Sequence, residues 1–452
     1  MTIPKGLAAH LVPVLDLSSP AWPSTWQTLS ELAASERLGG ILLRRGLRAD
    51  WQKVTREACV LADRKPLLMA DFEQGAASQV TGYVWLPKAF TVGATRCPGL
   101  ARRMGQAVAW QAREMGIDMA LAPVADLLFA STHSVIGTRS FGATPELVGA
   151  MVAAFITGCQ GEGVKAVVKH FPGHGRSHDD SHQHLASIKV SPETWAATDA
   201  VPFRMAIEAG VSAVMVGHIW SEGLDPGHCR PASRSPVVIR QLLRDHMGFS
   251  GLILTDSLEM IGAGGADLAA ASGAVEAGVD LVIGPDLGFA KDSARPMRQD
   301  SGDGAAVIGA ELAQEIAQKA VAWLSRFASS RATASPGEVL VVPDRSGRSD
   351  WAAPLEAALR SRPAPSDQGY CVIAVSGPSD AAEAQRHIDR VAGSGSMPVV
   401  LIAFGAIDLA RQASHRMGVI LTGDATSASQ EAAVRLLCGE IRSRGNPDLP
   451  HA

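Results

Sequence analysis

Eight short apolar runs, each bounded by turn residues, recur along the first two thirds of the chain. They are "HLVPVLDL", "LGGILLRRG", "KPLLMADFE", "IDMALAPVAD", "VKAVVKHFPGHG", "VSAVMVGHI", "SGLILTDSLEM" and "GVDLVIGPD". Runs that are apolar almost throughout, rather than at every second residue, describe strands buried on both faces. Most of the gaps hold helical patterns such as "ARRMGQAVAWQAREMG" and "PELVGAMVAAFITGCQGEG". Strands alternating with helices imply a parallel sheet covered by its crossover helices. The count of eight predicts an α/β fold of the (β/α)8 TIM-barrel type, which takes about 250 residues. A doubly wound open sheet is the structural alternative. Neither a GxGxxG fingerprint after the first run nor a Walker-type loop occurs, which weighs against a nucleotide-binding sheet.

Beyond Pro285 the pattern loosens into the polar stretch "AKDSARPMRQDSGDG" and a helix predicted through "GAELAQEIAQKAVAWLSRF". "ASSRATASPGE" reads as a linker, and "VLVVPD", "YCVIAVSG", "PVVLIAFG" and "GVILTGD" read as strands of a small α/β unit. The expected division is a catalytic barrel over 1–328 and a C-terminal domain over 337–446, closed by the tail "RGNPDLPHA". A formal charge of −4 without a basic run gives no reason to expect a nucleic-acid partner. No stretch approaches the ~18 uninterrupted apolar residues of a membrane span. Six scattered cysteines without a CxxC pair read as reduced thiols. With a poor signal peptide at the start, the expected compartment is the cytoplasm.

Polar residues stand just past several apolar runs: Asp71 and Glu73, Asp126, Lys169 and His170, His218, and Asp256. In a barrel of this type those positions rim the active site. The stretch "KHFPGHGRSHDDSHQHL" adds His174, His178, His182 and His184 to His170. A four-residue histidine spacing makes a metal-binding face only on a helix, and Pro172 with its flanking glycines makes this segment a loop. No metal or cofactor is expected. An Asp–x–His pair, Asp180 and His182, suits proton transfer instead, because the carboxylate orients the imidazole.

"KHFPGHG", four residues and then "DSH" resemble the signature of bacterial β-N-acetylglucosaminidases (β-N-acetylhexosaminidases) of glycoside hydrolase family 3. "LAPVADL", "VIGTRSFG" followed by "PELV", "AVMVGHI", "LRDHMGFSGLILTDSLEM" and "AVEAGVDLVIG" agree in order, so the resemblance covers roughly residues 11–285. It implies a retaining exo-glycosidase that removes terminal β-linked N-acetylglucosamine from small carbohydrates, often during cell-wall recycling. It puts the nucleophile on Asp256, the acid/base on His182 and that histidine's partner on Asp180. Sugar-binding positions fall on Asp71, Arg139, Lys169, His170 and His218, and Met260 falls near the acetamido pocket.

The chemistry is coherent with the residues. A carboxylate can stabilise an oxocarbenium-like transition state and then bond to the anomeric carbon. An imidazole titrating near neutral pH can protonate the leaving oxygen and later deprotonate water. A phosphorylase, transglycosylase or specialised amino-sugar hydrolase on the same barrel is the alternative, because a histidine repels an anionic acceptor less than a carboxylate does. The chain departs from the family's D-x-E-G-G-R pattern with "DFEQGA". Gln74 replaces a glycine and Ala76 an arginine, which predicts a locally different turn. That departure also motivates a third reading, a non-catalytic amino-sugar-binding protein.

Overall fold

The computed structural model describes residues 3–4, 6–36, 38–61, 65–129, 132, 135–288, 307–320, 322–325, 336–341, 352–353, 355, 357, 370–376, 399–404, 418–422 and 427–437. By their contacts the residues fall into two units. The first holds Met1–Trp85, Ala101–Gly309 and Leu449–Ala452; the second holds Leu86–Leu100 and Ala310–Asp448.

Each of the eight apolar runs contains a strand. β1 (Leu11–Val12), β2 (Val14–Asp16), β3 (Gly40–Arg44), β4 (Leu67–Ala70) and β5 (Met119–Ala120) come first. β6 (Lys165–Phe171), β7 (Ala186–Ser187), β8 (Ala213–Val216), β9 (Ile219–Trp220), β10 (Leu252–Thr255) and β11 (Val282–Ile283) follow. Seven of them form one sheet in the order β10-β8-β6-β5-β4-β3-β2, with every pairing parallel. The order follows the chain and never reverses, so the switch point of a doubly wound sheet is not found among the described residues. β1 pairs with β11 in parallel, and a bridge joins Leu254 to Leu281.

The crossover helices show why the runs are apolar on both sides. Helix Pro145–Gly161 packs on helix Ala200–Glu208 between β5 and β8, and its proline sits at the first position, where no amide hydrogen is needed. Helix Leu268–Ala277 begins where the Asp267 carboxylate accepts from the Ala270 amide, and it ends at Gly278 in the left-handed conformation. On the other side of the strands lies a buried cluster. Val12, Leu42, Met69, Met119, Val167, Met215, Leu254 and Ile283 meet there, one from each of eight strands. Such a layer needs residues without polar atoms at one position of each strand, which is the pattern the runs carry.

Two features were not legible in the runs. β7 and β9 form a two-stranded parallel ribbon, Ala186 opposite Ile219, outside the main sheet. Helix Val237–His246 is wound in the π manner, its end marked by the Met247 amide donating to Leu242.

In the second unit the four predicted strands appear as β13 (Pro336–Val341), β14 (Tyr370–Ser376), β15 (Val399–Phe404) and β16 (Gly418–Thr422). They form a parallel sheet whose other edge is an antiparallel strand, β12 (Ala322–Ser325). β12 corrects the expected helix, which runs over Val307–Ala320 and stops short of "AWLS". Trp323 pairs opposite Ile420, and tryptophan is a residue type that strands favour. The last three residues of the expected linker, Pro336–Glu338, belong to β13. Its earlier part, the polar stretch from Ala290 and the tail lie outside the described residues. Among the described residues no helix is long and apolar enough to cross a membrane.

Candidate active site

The carboxyl ends of β4, β5 and β6 bring four of the expected residues into one network. Lys169, only 2% exposed, ends between two carboxylates, with Nζ 3.0 Å from Asp71 Oδ1 and 2.6 Å from Glu73 Oε1. Arg139 grips Glu73 with both arms of its fork, Nε to Oε2 at 2.9 Å and Nη2 to Oε1 at 2.7 Å. The same Nη2 lies 3.3 Å from His170 Nε2. On its other side the His170 ring meets Asp126, Nδ1 to Oδ2 at 2.7 Å.

Charge explains why such a buried set holds. Burial pushes the Glu73 carboxyl up, but Arg139 and Lys169 outweigh it and hold the group well below the usual carboxylate range. Burial would strip Lys169 of its proton; Asp71 and Glu73 reverse that and raise its pKa. Asp126 is likewise held low against burial, by the His170 and His174 imidazoles and the His174 amide.

Lys169 and His170 are consecutive yet join the same network, which a regular strand forbids because neighbours point to opposite faces. The pairing of β6 with β8 shifts register between Val168 and Phe171, at those two residues. The Lys169–His170 and Phe171–Pro172 peptides are both cis.

Asp256 follows β10. Its amide donates to the Val216 carbonyl at the end of β8, and its Oδ1 accepts from the Ser257 amide at 2.7 Å. Burial raises its pKa, but the His170 ring, the Ser257 N–H and the Lys169 ammonium outweigh it and hold the pKa below its ordinary value. His218 has no exposed surface, and both ring nitrogens are taken. Nε2 donates to the Ser257 carbonyl at 3.0 Å and Nδ1 lies 2.8 Å from Ser233 Oγ. Burial pulls its pKa down and keeps the ring neutral. It therefore braces the Asp256 turn through both ring nitrogens. Met260, four residues after Asp256, is 7% exposed and its amide donates to the Ser257 carbonyl. Beside this turn lies a cavity of ≈ 190 Å³ lined by Asp16, Arg44, Arg45, Glu259 and Asp286 among others.

His170 is the last residue but one of β6, and 172–184 are turns, bends and loop, so the four-residue spacing has no helical face. Among the described residues no group of three or more His, Cys, Asp or Glu is placed to hold a metal ion. The His182 side chain is 58% exposed, and its Nδ1 lies 2.8 Å from Asp180 Oδ1. That oxygen also accepts from the His182 amide at 2.9 Å, so one carboxylate fixes both the ring and the backbone. Two backbone hydrogen bonds tie the loop to the turn after Asp256: the Gly262 amide donates to Ser181 O at 3.0 Å and the Ile261 amide to His182 O at 3.4 Å.

At "DFEQGA" the positive φ falls on a glycine. The left-handed position is Gly75, φ 74°, which is retained, while Gln74 is not among the positive-φ residues. Ala76 is buried with its amide donating to Gln111 Oε1 at 2.7 Å. Glu73 and Asp126, read in the sequence only as polar residues at strand ends, prove to be the anchors of Arg139, Lys169 and His170. Opposite charge in one place was the missing signal, and it depends on residues far apart in the chain.

Residues 9–290 match a family model described as "Glycosyl hydrolase family 3 N terminal domain". A β-hexosaminidase of Stenotrophomonas maltophilia (strain K279a) is 33% identical over 274 residues, covering 56% of this chain and 80% of that one. A protein of Cellulomonas fimi named β-N-acetylglucosaminidase/β-glucosidase is 34% identical over 243 residues; the match covers 52% of this chain and 43% of that longer one. Among solved structures, NagZ from Neisseria gonorrhoeae in complex with N-trifluoroacetyl-D-glucosamine is 30% identical, with a TM-score of 0.53 over 61% of this chain and 81% of that one. A family 3 β-N-acetylglucosaminidase from Paenibacillus sp. str. FPU-7 shares the fold over 100% of this chain and 99% of that one, with a TM-score of 0.79 at 22% identity.

Proposed function

This chain belongs to glycosyl hydrolase family 3 and is a glycoside hydrolase, and from that premise we propose that it removes terminal β-linked N-acetylglucosamine, or a related amino sugar, with retention of configuration. The observation that carries the mechanism is the joining of two segments: the turn after the ionised Asp256 holds the loop that bears the Asp180–His182 pair. Asp256 attacks the anomeric carbon while the proton on His182 Nε2 passes to the leaving oxygen. The C1–O bond breaks and a glycosyl ester forms on Asp256. The now neutral His182 then takes a proton from water, whose oxygen attacks C1 and frees the aspartate. Asp180, on Nδ1, keeps Nε2 as the nitrogen that gains and loses that proton. Asp71, Arg139, Lys169 and His170 hold the sugar hydroxyls through charged donors and acceptors already fixed by Glu73 and Asp126. Met260 borders the acetamido group.

The setting of this chemistry is a (β/α)8 barrel within residues 1–328, with 337–446 as a separate small α/β domain. The β1–β11 pairing, the Leu254–Leu281 bridge and the shared interior cluster support closure of the sheet. A cytoplasmic role in recycling cell-wall amino sugars follows from the same reading. Release of chromophore from an aryl N-acetyl-β-glucosaminide tests the activity, with Asp256→Asn as the inactive control. No turnover on any aryl amino sugar refutes it. The exposed imidazole also suits phosphate as the acceptor in place of water. Formation of sugar phosphate when phosphate is added would establish that second reading.

A further inference from the structure

His182 is the most exposed member of the proposed machinery, yet the loop that carries it is held by three residues outside the proposed chemistry. Gly262 is the first. Its amide donates to Ser181 O at 3.0 Å, and a Cβ placed on it would stand 2.6 Å from both Ser181 O and His184 O. Two backbone carbonyls cannot move aside as a side-chain tip can, so any larger residue at 262 must push the loop away from the Asp256 turn. Gly262 does not adopt a left-handed φ, so the glycine serves the close approach alone.

Ser181 and His174 are the second and third. Ser181, 3% exposed, has its Oγ 2.9 Å from Nε2 of the equally buried His174. The His174 amide in turn donates to Asp126 Oδ1 at 2.6 Å, and the other oxygen of Asp126 holds His170. A continuous line of hydrogen bonds therefore runs from the loop of His182 to the network of Arg139, Glu73 and Lys169. No charge needs to move along it; it sets where the loop sits.

We propose that Gly262, Ser181 and His174 form a latch that positions His182 over the bond to be cleaved. Gly262 provides the close approach to the Asp256 turn, and the Ser181–His174 bond ties the loop to the sugar-binding cluster. The proposal rests on His182 being the general acid. These three are positioning residues, and their loss weakens proton donation to the leaving group while leaving the nucleophile in place.

The test compares kcat/KM for two aryl N-acetyl-β-glucosaminides, a phenyl glycoside that needs acid assistance and a 2,4-dinitrophenyl glycoside that does not. General acid catalysis contributes about 10²–10⁴-fold, and a misplacement of about 1 Å costs roughly 10²-fold. Gly262→Ala is expected to lower kcat/KM by about 10–100-fold on the phenyl substrate and by less than about 3-fold on the dinitrophenyl one. Ser181→Ala follows the same pattern more weakly, Ser181→Thr recovers part of the loss, and the alkaline limb of the phenyl pH profile shifts in the impaired variants. Equal losses on both substrates, or none, in Gly262→Ala and Ser181→Ala overturn the latch; if Gly262→Ala does not fold, Ser181→Ala decides alone. His182→Ala separates the two levels. If it shows no leaving-group dependence, the general-acid assignment fails; if it does and the latch variants do not, only the latch fails.

Discussion

Replacing Glu73 with glutamine keeps the shape of the side chain and removes the charge on which two cations rest. In the wild type one carboxylate serves both arms of Arg139 and the ammonium of a Lys169 that is 2% exposed. In Glu73→Gln the new side chain would turn an amide NH2 toward one of these donors and leave only a neutral oxygen for the others. Truncating one partner of a buried pair costs about 3–5 kcal/mol, and a lost bond to a charged group about 1.5–3 kcal/mol. Lys169 keeps Asp71 as a partner and the Glu73 side chain is 21% exposed, so the lower end applies: a loss of about 2–3 kcal/mol and a Tm lower by about 5 °C. The pH dependence has a definite sign. The folded-state pKa of Glu73 is depressed, so its contribution is fully present above the unfolded value of about 4.3 and is lost as pH falls below it. Urea unfolding of both proteins at pH 7, with melts down to pH 3.5, should show a gap that is constant above about pH 5 and narrows below about 4.3. A difference under about 0.5 kcal/mol at pH 7, or a gap that does not narrow below about pH 4.3, would refute the reasoning.

Two further outcomes rest on the same geometry. Asp126→Asn turns one amide NH2 toward a donor, His170 Nδ1 or the His174 amide, so kcat/KM should fall by about 10–100-fold, mostly through KM, the equivalent of one charge-assisted bond; unchanged KM would show that His170 does not need this anchor. His174 and His218 are held neutral by burial, with depressed pKa values. Their contribution is present above about 6.5 and lost as pH falls through that value, so Tm should decline between pH 7 and pH 5, before the carboxylates add their own loss. A Tm that is flat or rises over that interval contradicts it.

The sheet was legible because a strand covered on both faces must be apolar along its length, as in "VSAVMVGHI" and "SGLILTDSLEM", and no other element of similar length shows that run. β5 was the least complete: "IDMALAPVAD" yields only Met119–Ala120, because Pro123 lacks the amide that would continue the ladder. The end of the helix at Ala320 was not legible, since "AWLS" carries no breaker and its strand pairing comes from residues about a hundred positions away. In the site, Asp71, Lys169 and His170 were read by type and place at strand ends and Arg139 through the family resemblance, and the structure joins the four in one network. The anchoring roles of Glu73 and Asp126, and the bracing role of His218, are facts of burial and of what stands opposite. His218 looked like Lys169 in the sequence, as a polar residue past a strand, and only its two occupied nitrogens separate the two.

The central claim is that Asp256 forms a glycosyl ester, and trapping that ester tests it most directly. Incubation with a 5-fluoro N-acetyl-β-glucosaminyl fluoride slows both steps and lets the intermediate accumulate. Intact-mass and peptide-mapping spectrometry should find one added fluorosugar on the peptide containing Asp256, and none on Asp256→Asn. Turnover of substrate with no such adduct, or with the sugar on another residue, would contradict the account.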